Sequence, residues 1–295
     1  MSDFRLKVFQ SVAKNLSFTK ASQELFVSQP AITKHIQELE ATYQTRLFDR
    51  QGSKISLTES GRLLLEHCER ILEDYKRLEY EMHLLHNEYI GELKLGASTT
   101  IAQYVLPPLL GSFIGKFPQV NLSLLNGNSR EIEAALQEHR IDLGLVEGVF
   151  RLPNLKYTTF LEDELVAVVH SKSRLQLPEE ITPQDLPAIP LVLRERGSGM
   201  LDVIERSLQK HGVKLASLHV LMYLGSTESI KLFLENSDCM GIVSIRSICK
   251  ELAAGTFRVV EIKDMPMLRD FCFVQLQGQE GGLSQAFMNY MFMSR

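Results

Sequence analysis

The sequence predicts an α/β protein in three parts: a small helical head closed by a β-hairpin, one long linker helix, and a two-lobed α/β body. Three observations carry this reading. Residues 1–58 hold three short helical patterns followed by a hairpin signal. Residues 59–89 contain no proline, have glycine only at Gly61, and repeat apolar residues every seven positions. From Gly91 onward, strand and helix patterns alternate in the rhythm of βαβ units. The 295 residues suffice for two or three domains.

Composition excludes several classes. The 44% hydrophobic and 23% charged fractions are those of an ordinary globular chain, not a disordered or fibrous one. No apolar run reaches the ~18 residues of a membrane span. The N-terminus MSDFRLKVFQ lacks a secretory pattern, so a cytoplasmic protein is expected. Four cysteines, Cys68, Cys239, Cys249 and Cys272, lie far apart with no CxxC and no His/Cys cluster at metal spacing. Reduced and mostly buried thiols, with neither disulfide scaffold nor metal site, are expected. Charge is uneven: residues 1–65 hold nine Lys/Arg against six Asp/Glu, residues 66–90 three against seven. A basic head on an acidic body suggests an anionic partner for the head.

In the head, Phe4, Val8, Phe9 and Val12 share one face of a first helix. Ser17 opens a second, which carries Ala21 and Leu25 inward. After a break at Phe26-Val27, Ser28 is placed to cap a third helix running to about Glu40, with Pro30 in its first turn. There Ile32, Ile36 and Leu39 face the core. Gln29, Thr33 and Gln37 lie four apart on another face, beside Pro30 and Lys34. A solvated face would ordinarily mix in carboxylates. A face limited to amides, hydroxyls and a lysine suits base edges and phosphates in a major groove. RLFDRQGSKISLT then reads as a hairpin turning at Gly52-Ser53, with Arg50 and Lys54 set against the DNA backbone. The head is a winged helix-turn-helix.

The run SFTKASQELFVSQPAITKHIQELEATYQTRLFDRQGSKISLTESG resembles the DNA-binding domain of LysR-type transcriptional regulators nearly end to end. Their pattern is present as Ala21, Leu25, Ser28, Gln29, Pro30, Ala31, Thr33, Ile36, Leu39, Glu40, Leu47, Phe48, Arg50, Leu57, Thr58 and Gly61. The resemblance implies binding of double-stranded DNA at an inverted-repeat promoter site, with RNA polymerase as a further partner.

Along 59–89, Leu64, Ile71, Leu78 and Leu85 recur every seven residues, and Cys68, Tyr75, Met82 and Tyr89 fall four later. This is a coiled-coil seam, unless the helix packs on its own domain. LysR-type regulators pair through such a helix, which implies a homodimer or homotetramer.

The body reads as strands at GELKLGAS, VNLSLLNG, DLGLVEG, ELVAVVH, PLVLRE, LHVLMYLG, GIVSI, FRVVEI and FCFVQL. Helices are read at TIAQYVLPPLLGSFIGKF, SREIEAALQEH, SGMLDVIERSLQKHG, STESIKLFLE and LSQAFMNYMFM. Lobe I is set at about 91–161 and 268–295 and lobe II at about 162–267, with a mostly parallel sheet and crossings near Phe160–Asp163 and Ile262–Leu268. This plan is similar to the periplasmic-binding-protein-like effector domain of the same family. The domains are therefore 1–58, 59–89 and 90–295.

Ligands of open α/β sheets sit where strands end and helices begin. Ser98, Thr99, Thr100, Asn126, Asn128, Ser198, Ser226 and Thr227 fall at such junctions, and Glu147 ends a third strand. Each junction offers backbone N–H groups and a hydroxyl or amide under a positive helix end, which suits a small anion. Singly, such residues are also ordinary caps. Arg194 and Arg196 add positive charge. The stretches GASTTIAQYVLPP, NGNSREI, DLGLVEG, LRERGSGM and LGSTESIK look like a branch that includes regulators of sulfur and carbon assimilation, some of which answer to small anions. Relatives commonly continue REKGSG with Thr-Arg. Here Met200-Leu201 follow, implying a lost arginine at the cleft mouth. An effector-independent architectural DNA-binding protein is the alternative.

No Ser-His-Asp arrangement, P-loop, GxGxxG or HExxH appears, and the eight histidines are scattered. No catalysis and no cofactor are expected. Some LysR-type regulators sense peroxide through a disulfide. Cys239 has no basic neighbour and Cys249 has Lys250, and both are expected to fill a core.

Overall fold

The computed structural model describes residues 4–51, 54–84, 89–278 and 281–294; the side chains of 50, 51, 54 and of several positions in 73–84 lie outside that description. The chain divides into two units, Met1–Glu88 and Tyr89–Arg295.

The first unit is the winged helix-turn-helix. It comprises α1 (Phe4–Asn15), α2 (Phe18–Glu24), α3 (Gln29–Tyr43), the hairpin β1 (Phe48–Gln51) and β2 (Lys54–Leu57), and α4 (Glu59–Leu84). Ser17 caps α2 by accepting from the Lys20 N–H at 3.2 Å. Val8, Phe9, Val12, Ala21, Ile32, Ile36 and Leu39 form the core with Phe48, as their spacing predicts, while Phe4 stays largely exposed. The third helix runs three residues beyond its expected end, to Tyr43, and stops at left-handed Gln44. β1 and β2 pair Phe48 with Leu57 and Gln51 with Lys54, so the hairpin is where the sequence puts it; its Gly52-Ser53 turn lies outside the described residues. Gly61 cannot be larger, since a Cβ there would meet the Leu47 carbonyl oxygen at 2.1 Å.

The seam on α4 needs correcting at three positions. Cys68 is fully buried in the head's core, where its thiol donates to the Leu6 carbonyl at 3.3 Å, and Leu64 packs against the same core. The physical reason is that α1 lies against the opening turns of α4, whose inward face completes a core too small to close by itself. Tyr89 belongs to the second unit, its ring tilted against that of Phe117 with centroids 4.5 Å apart. Further along α4, Ile71, Leu78 and Met82 are exposed at heptad spacing. Leu85 lies outside the described residues.

The second unit is a mixed α/β body. Its first lobe holds β3 (Gly91–Ser98), a π-helical turn at Ile101–Val105, α5 (Leu106–Lys116), β4 (Val120–Gly127), α6 (Ser129–Gln137) and β5 (Leu143–Glu147). β6 (Leu155–His170) leads into the second lobe. That lobe contains β7 (Glu180–Ile181), β8 (Leu191–Arg194), α7 (Gly199–Lys210), β9 (Val220–Leu224), α8 (Thr227–Glu235), β10 (Met240–Ser244), α9 (Cys249–Ala253) and β11 (Phe257–Ile262). β12 (Met267–Leu276) returns to the first lobe, and α10 (Gly282–Met293) closes it. One ten-stranded sheet runs β4-β3-β5-β12-β6-β10-β8-β9, with β11 on β6 and β7 on β11.

The crossings are more extensive than expected. β6 and β12 are long antiparallel partners, paired from Leu155↔Leu276 to Leu165↔Met267 with one register shift between Phe271 and Cys272, so the lobes share a sheet. LKYTTFLED, the first part of β6, lacks strict alternation, with only Leu155, Phe160 and Asp163 buried. Lobe II packs Leu193, Met200, Leu201, Ile204 and Leu208 in one core; lobe I packs Phe113 edge-on against Phe287 and Tyr290. Leu201 is therefore a core residue, not one at a cleft mouth. Among the cysteines, Cys68, Cys239 and Cys272 are buried. Cys249 is exposed, contrary to expectation, because α9 is a single short surface turn. No helix among the described residues is long and apolar enough to cross a membrane.

Candidate nucleic-acid interface and interlobe cleft

Seen residue by residue, α3 presents the face the sequence predicts. Ser28, Gln29, Pro30, Lys34 and Gln37 are exposed and Thr33 is half-buried. The Thr33 hydroxyl donates to the Gln29 carbonyl at 3.1 Å, which fixes its rotamer. Thr19 on α2 donates to the Gln29 side-chain oxygen at 3.5 Å. Ser28 stands at the cap position, but its side chain makes no cap bond. Nearby carboxylates are engaged elsewhere: Glu40 accepts from the Leu47 N–H at 2.8 Å, and Glu38 lies 3.5 Å from His35. The face is thus polar and free of bound acids. Arg50 and Lys54 occupy the two wing strands, opposite Ile55 and Gln51; their side chains lie outside the described residues. Sequence reasoning missed Phe26, which sits in the turn with a left-handed φ of 54° and is 94% exposed.

In the second unit the ends of β3, β5 and β8 meet between the lobes. Ser98 and Thr100 both donate to the Glu147 carboxylate, Thr100 at 3.5 Å. From lobe II, Arg194 reaches Thr99 with Nη2 at 3.3 Å, while Glu195 takes its Nε at 2.8 Å. Arg194 is 1% exposed, and its Nη1 has no partner. Thr227, first residue of α8, is fully buried with an unpartnered hydroxyl. It follows closely on Leu224, which pairs with Arg194 across β8 and β9. Two unsatisfied polar groups thus sit where the β8 and β9 ends open between the lobes, and such groups are costly unless something binds them.

Other predicted residues do cap work. Asn128 forms a capping box with Glu131, Ser198 accepts from the Met200 N–H at 3.3 Å, and Ser226 from the Ser229 N–H at 3.1 Å. Asn126 and Arg196 are exposed. The small residues between the caps serve close approach: a Cβ on Gly199 would lie 2.0 Å from the Glu147 carbonyl oxygen. The lobes touch again where Tyr104 donates to Glu228, with the Lys231 ammonium 5.6 Å from the Tyr104 ring. Burial and the neighbouring Glu228 raise the Tyr104 pKa.

Beneath this layer lies a buried ion network that the sequence did not reveal. Arg269 on β12 stands opposite Asp163 on β6 and donates to it through Nε and Nη2, each at 2.8 Å. Its Nη1 lies 3.4 Å from Glu147, and Ser244 of lobe II donates to Asp163 at 2.7 Å. Burial pushes the Glu147 pKa up, against the pull of Arg269 and Arg194. Asp163 ends one segment read as a crossing and Arg269 falls just after the other, outside any strand read from the sequence, so no periodicity marked them.

A family model described as the LysR substrate binding domain matches residues 86–292. A second, described as a bacterial regulatory helix-turn-helix protein of the lysR family, matches residues 4–62. The chain is 29% identical to the HTH-type transcriptional regulator CysL of Bacillus subtilis (strain 168), covering 91% of this chain and 89% of that protein. It is 32% identical to a probable RuBisCO transcriptional regulator of Cyanidioschyzon merolae, covering 90% of this chain and 88% of that one. The CcmR regulatory domain of Synechocystis PCC6803, solved in complex with 2-PG, superposes with a TM-score of 0.62 at 27% identity, over 69% of this chain and 97% of that domain.

Proposed function

The chain belongs to the LysR family of transcriptional regulators, and from that premise we propose that a small anionic effector, bound between the lobes, modulates its sequence-specific DNA binding. One observation carries the effector half: Arg194 is buried, spans from lobe II to Thr99 of lobe I, and keeps an N–H unpartnered. A guanidinium so placed has a donor for an oxyanion and favours lobe closure when it is filled. Thr227 and the hydroxyls of Ser98 and Thr100 offer further polar contacts. The similar CcmR regulatory domain is solved in complex with 2-PG, which supports a small-molecule effector for this chain.

For DNA, Gln29, Thr33 and Gln37 read base edges, while Ser28, Lys34, Arg50 and Lys54 meet phosphates and Pro30 sets the helix entry. Exposed Ile71, Leu78 and Met82 on α4 support pairing into a homodimer or homotetramer, which sets two heads on one inverted repeat. RNA polymerase is the downstream partner and the cytoplasm the site of action.

The test is a thermal melt and a DNA-binding titration of the full-length protein with and without inorganic phosphate or sulfate. One of these anions is expected to raise the melting temperature, by about 2.7 kcal/mol of stabilisation at a hundredfold excess over Kd, and to change DNA affinity. Arg194→Ala is expected to abolish both responses. Identical melting and DNA affinity in all conditions would leave an effector-independent architectural protein.

A further inference from the structure

Resting on the anion-cleft reading above, we infer that the cleft takes its oxyanion together with one proton held between that anion and the Glu147 carboxyl, so that it selects oxyanions carrying a proton near neutral pH over fully ionised ones.

The geometry is specific. Glu147 ends β5, and its two carboxyl oxygens receive the hydroxyls of Ser98 and Thr100, the residues on either side of the Thr99 that Arg194 touches. Each buried arginine already has its own carboxylate: Arg269 has Asp163, at 2.8 Å through two nitrogens, and Arg194 has Glu195, at 2.8 and 3.0 Å. Glu147 has only a share of Arg269, a single 3.4 Å ion-pair contact from the Nη1 of the guanidinium that Asp163 holds by its other two nitrogens.

Among the described residues, the charged groups that act on the Glu147 carboxyl are Arg269, Arg194 and Asp163. β12 brings Arg269, β8 brings Arg194 with Glu195 behind it, and β6 brings Asp163, which Arg246 meets on its other oxygen at 3.6 Å. The N-terminus of α6 brings the Ser129 hydroxyl, 2.7 Å from the Glu147 carbonyl, and α7 brings Gly199.

An anion entering beside this carboxylate meets a like charge in a site with little water to screen it. A single proton between them removes the repulsion and replaces it with a short, charge-assisted hydrogen bond. An oxyanion with an ionisable O–H brings that proton and donates to Glu147. A fully ionised oxyanion obliges Glu147 to take one from solvent and donate in the other direction. Burial, which favours the neutral carboxyl of Glu147, acts in the same sense.

The experiment is calorimetric titration of the full-length wild type and Glu147→Gln with inorganic phosphate and with sulfate, at pH 6, 7 and 8. Wild type is expected to bind phosphate at least about tenfold more tightly than sulfate at pH 7. Its sulfate affinity should fall up to about tenfold per pH unit. Glu147→Gln should tighten sulfate binding and flatten its pH dependence. Wild type alone, titrated in two buffers of different ionisation enthalpy, should take up close to one proton per sulfate and fewer per phosphate. Equal affinities with no pH slope, no proton uptake with sulfate, or an unchanged ratio in Glu147→Gln would overturn the inference while leaving the anion cleft intact. Binding of neither anion by wild type would overturn the cleft reading and this inference with it.

Discussion

The two units place their functional groups in opposite environments. On α3, Gln29, Lys34 and Gln37 are exposed. In the cleft, Thr100, Glu147, Arg194 and Arg269 are at most 4% exposed, and each leans on another buried polar group. The difference teaches what an alanine substitution reports. In the reading face it removes a contact that exists only in the complex. In the cleft it strands a partner, so stability and binding change together.

Arg269→Ala should sharpen that contrast most. It leaves Asp163 and Glu147 without their shared guanidinium, and loss of one member of a buried pair costs about 3–5 kcal/mol. Chemical denaturation should show this loss in the Tyr89–Arg295 unit, with Arg269→Lys recovering part of it. An Arg269→Ala protein as stable as wild type would erase the distinction between the two units.

Gln29→Ala is the opposite case. Discrimination against non-cognate base pairs should fall by about 1–3 kcal/mol, while stability shifts by no more than about 0.5 kcal/mol. Competition binding against matched and random DNA measures the first quantity, and a thermal melt the second. Lys34→Ala should instead weaken binding to every sequence alike and lower the salt slope by about one.

Ser17→Ala tests the same unit where no DNA is involved. Loss of the α2 cap should cost about 1 kcal/mol in stability with base preference unchanged.

The smallest effect is electrostatic. Glu147 has a raised pKa, so the folded protein holds its proton more tightly than the unfolded chain does. Stability of the effector unit should therefore fall as pH rises from the ordinary carboxylate range, about 4.3, to the raised value, and level off above it. Glu133 and Asp202 are raised by burial in the same direction. Glu147→Gln should thus shrink the slope in a pH series of melts without removing it.

The contrast also explains what the sequence made legible. The reading face is written in one 15-residue helix, where a period of 3.6 separates Ile32, Ile36 and Leu39 from Gln29, Thr33 and Gln37. Strands β3, β4, β5, β8 and β9 could be read for the same local reason, β3 and β4 to the residue, whereas the first half of β6 and the start of β12 were read as crossings. The ion network could not. Asp163 and Arg269 are 106 positions apart and meet only through the β6–β12 register, which one sequence does not encode locally. Caps were ambiguous: Ser198 and Ser226 cap helices, whereas Thr100 turns to Glu147 and Thr227 stays unpartnered. Only tertiary contacts separate those cases. Cys68 was misread because a seam and a core face share the same spacing.

The most direct test of the central claim is selection from random double-stranded DNA by the full-length protein, with and without inorganic phosphate or sulfate, followed by sequencing. An enriched inverted repeat, with half-sites one helical turn or a multiple apart and an enrichment that shifts with one anion, is the predicted result. Unenriched pools in every condition, or a lone half-site indifferent to both anions, would contradict it.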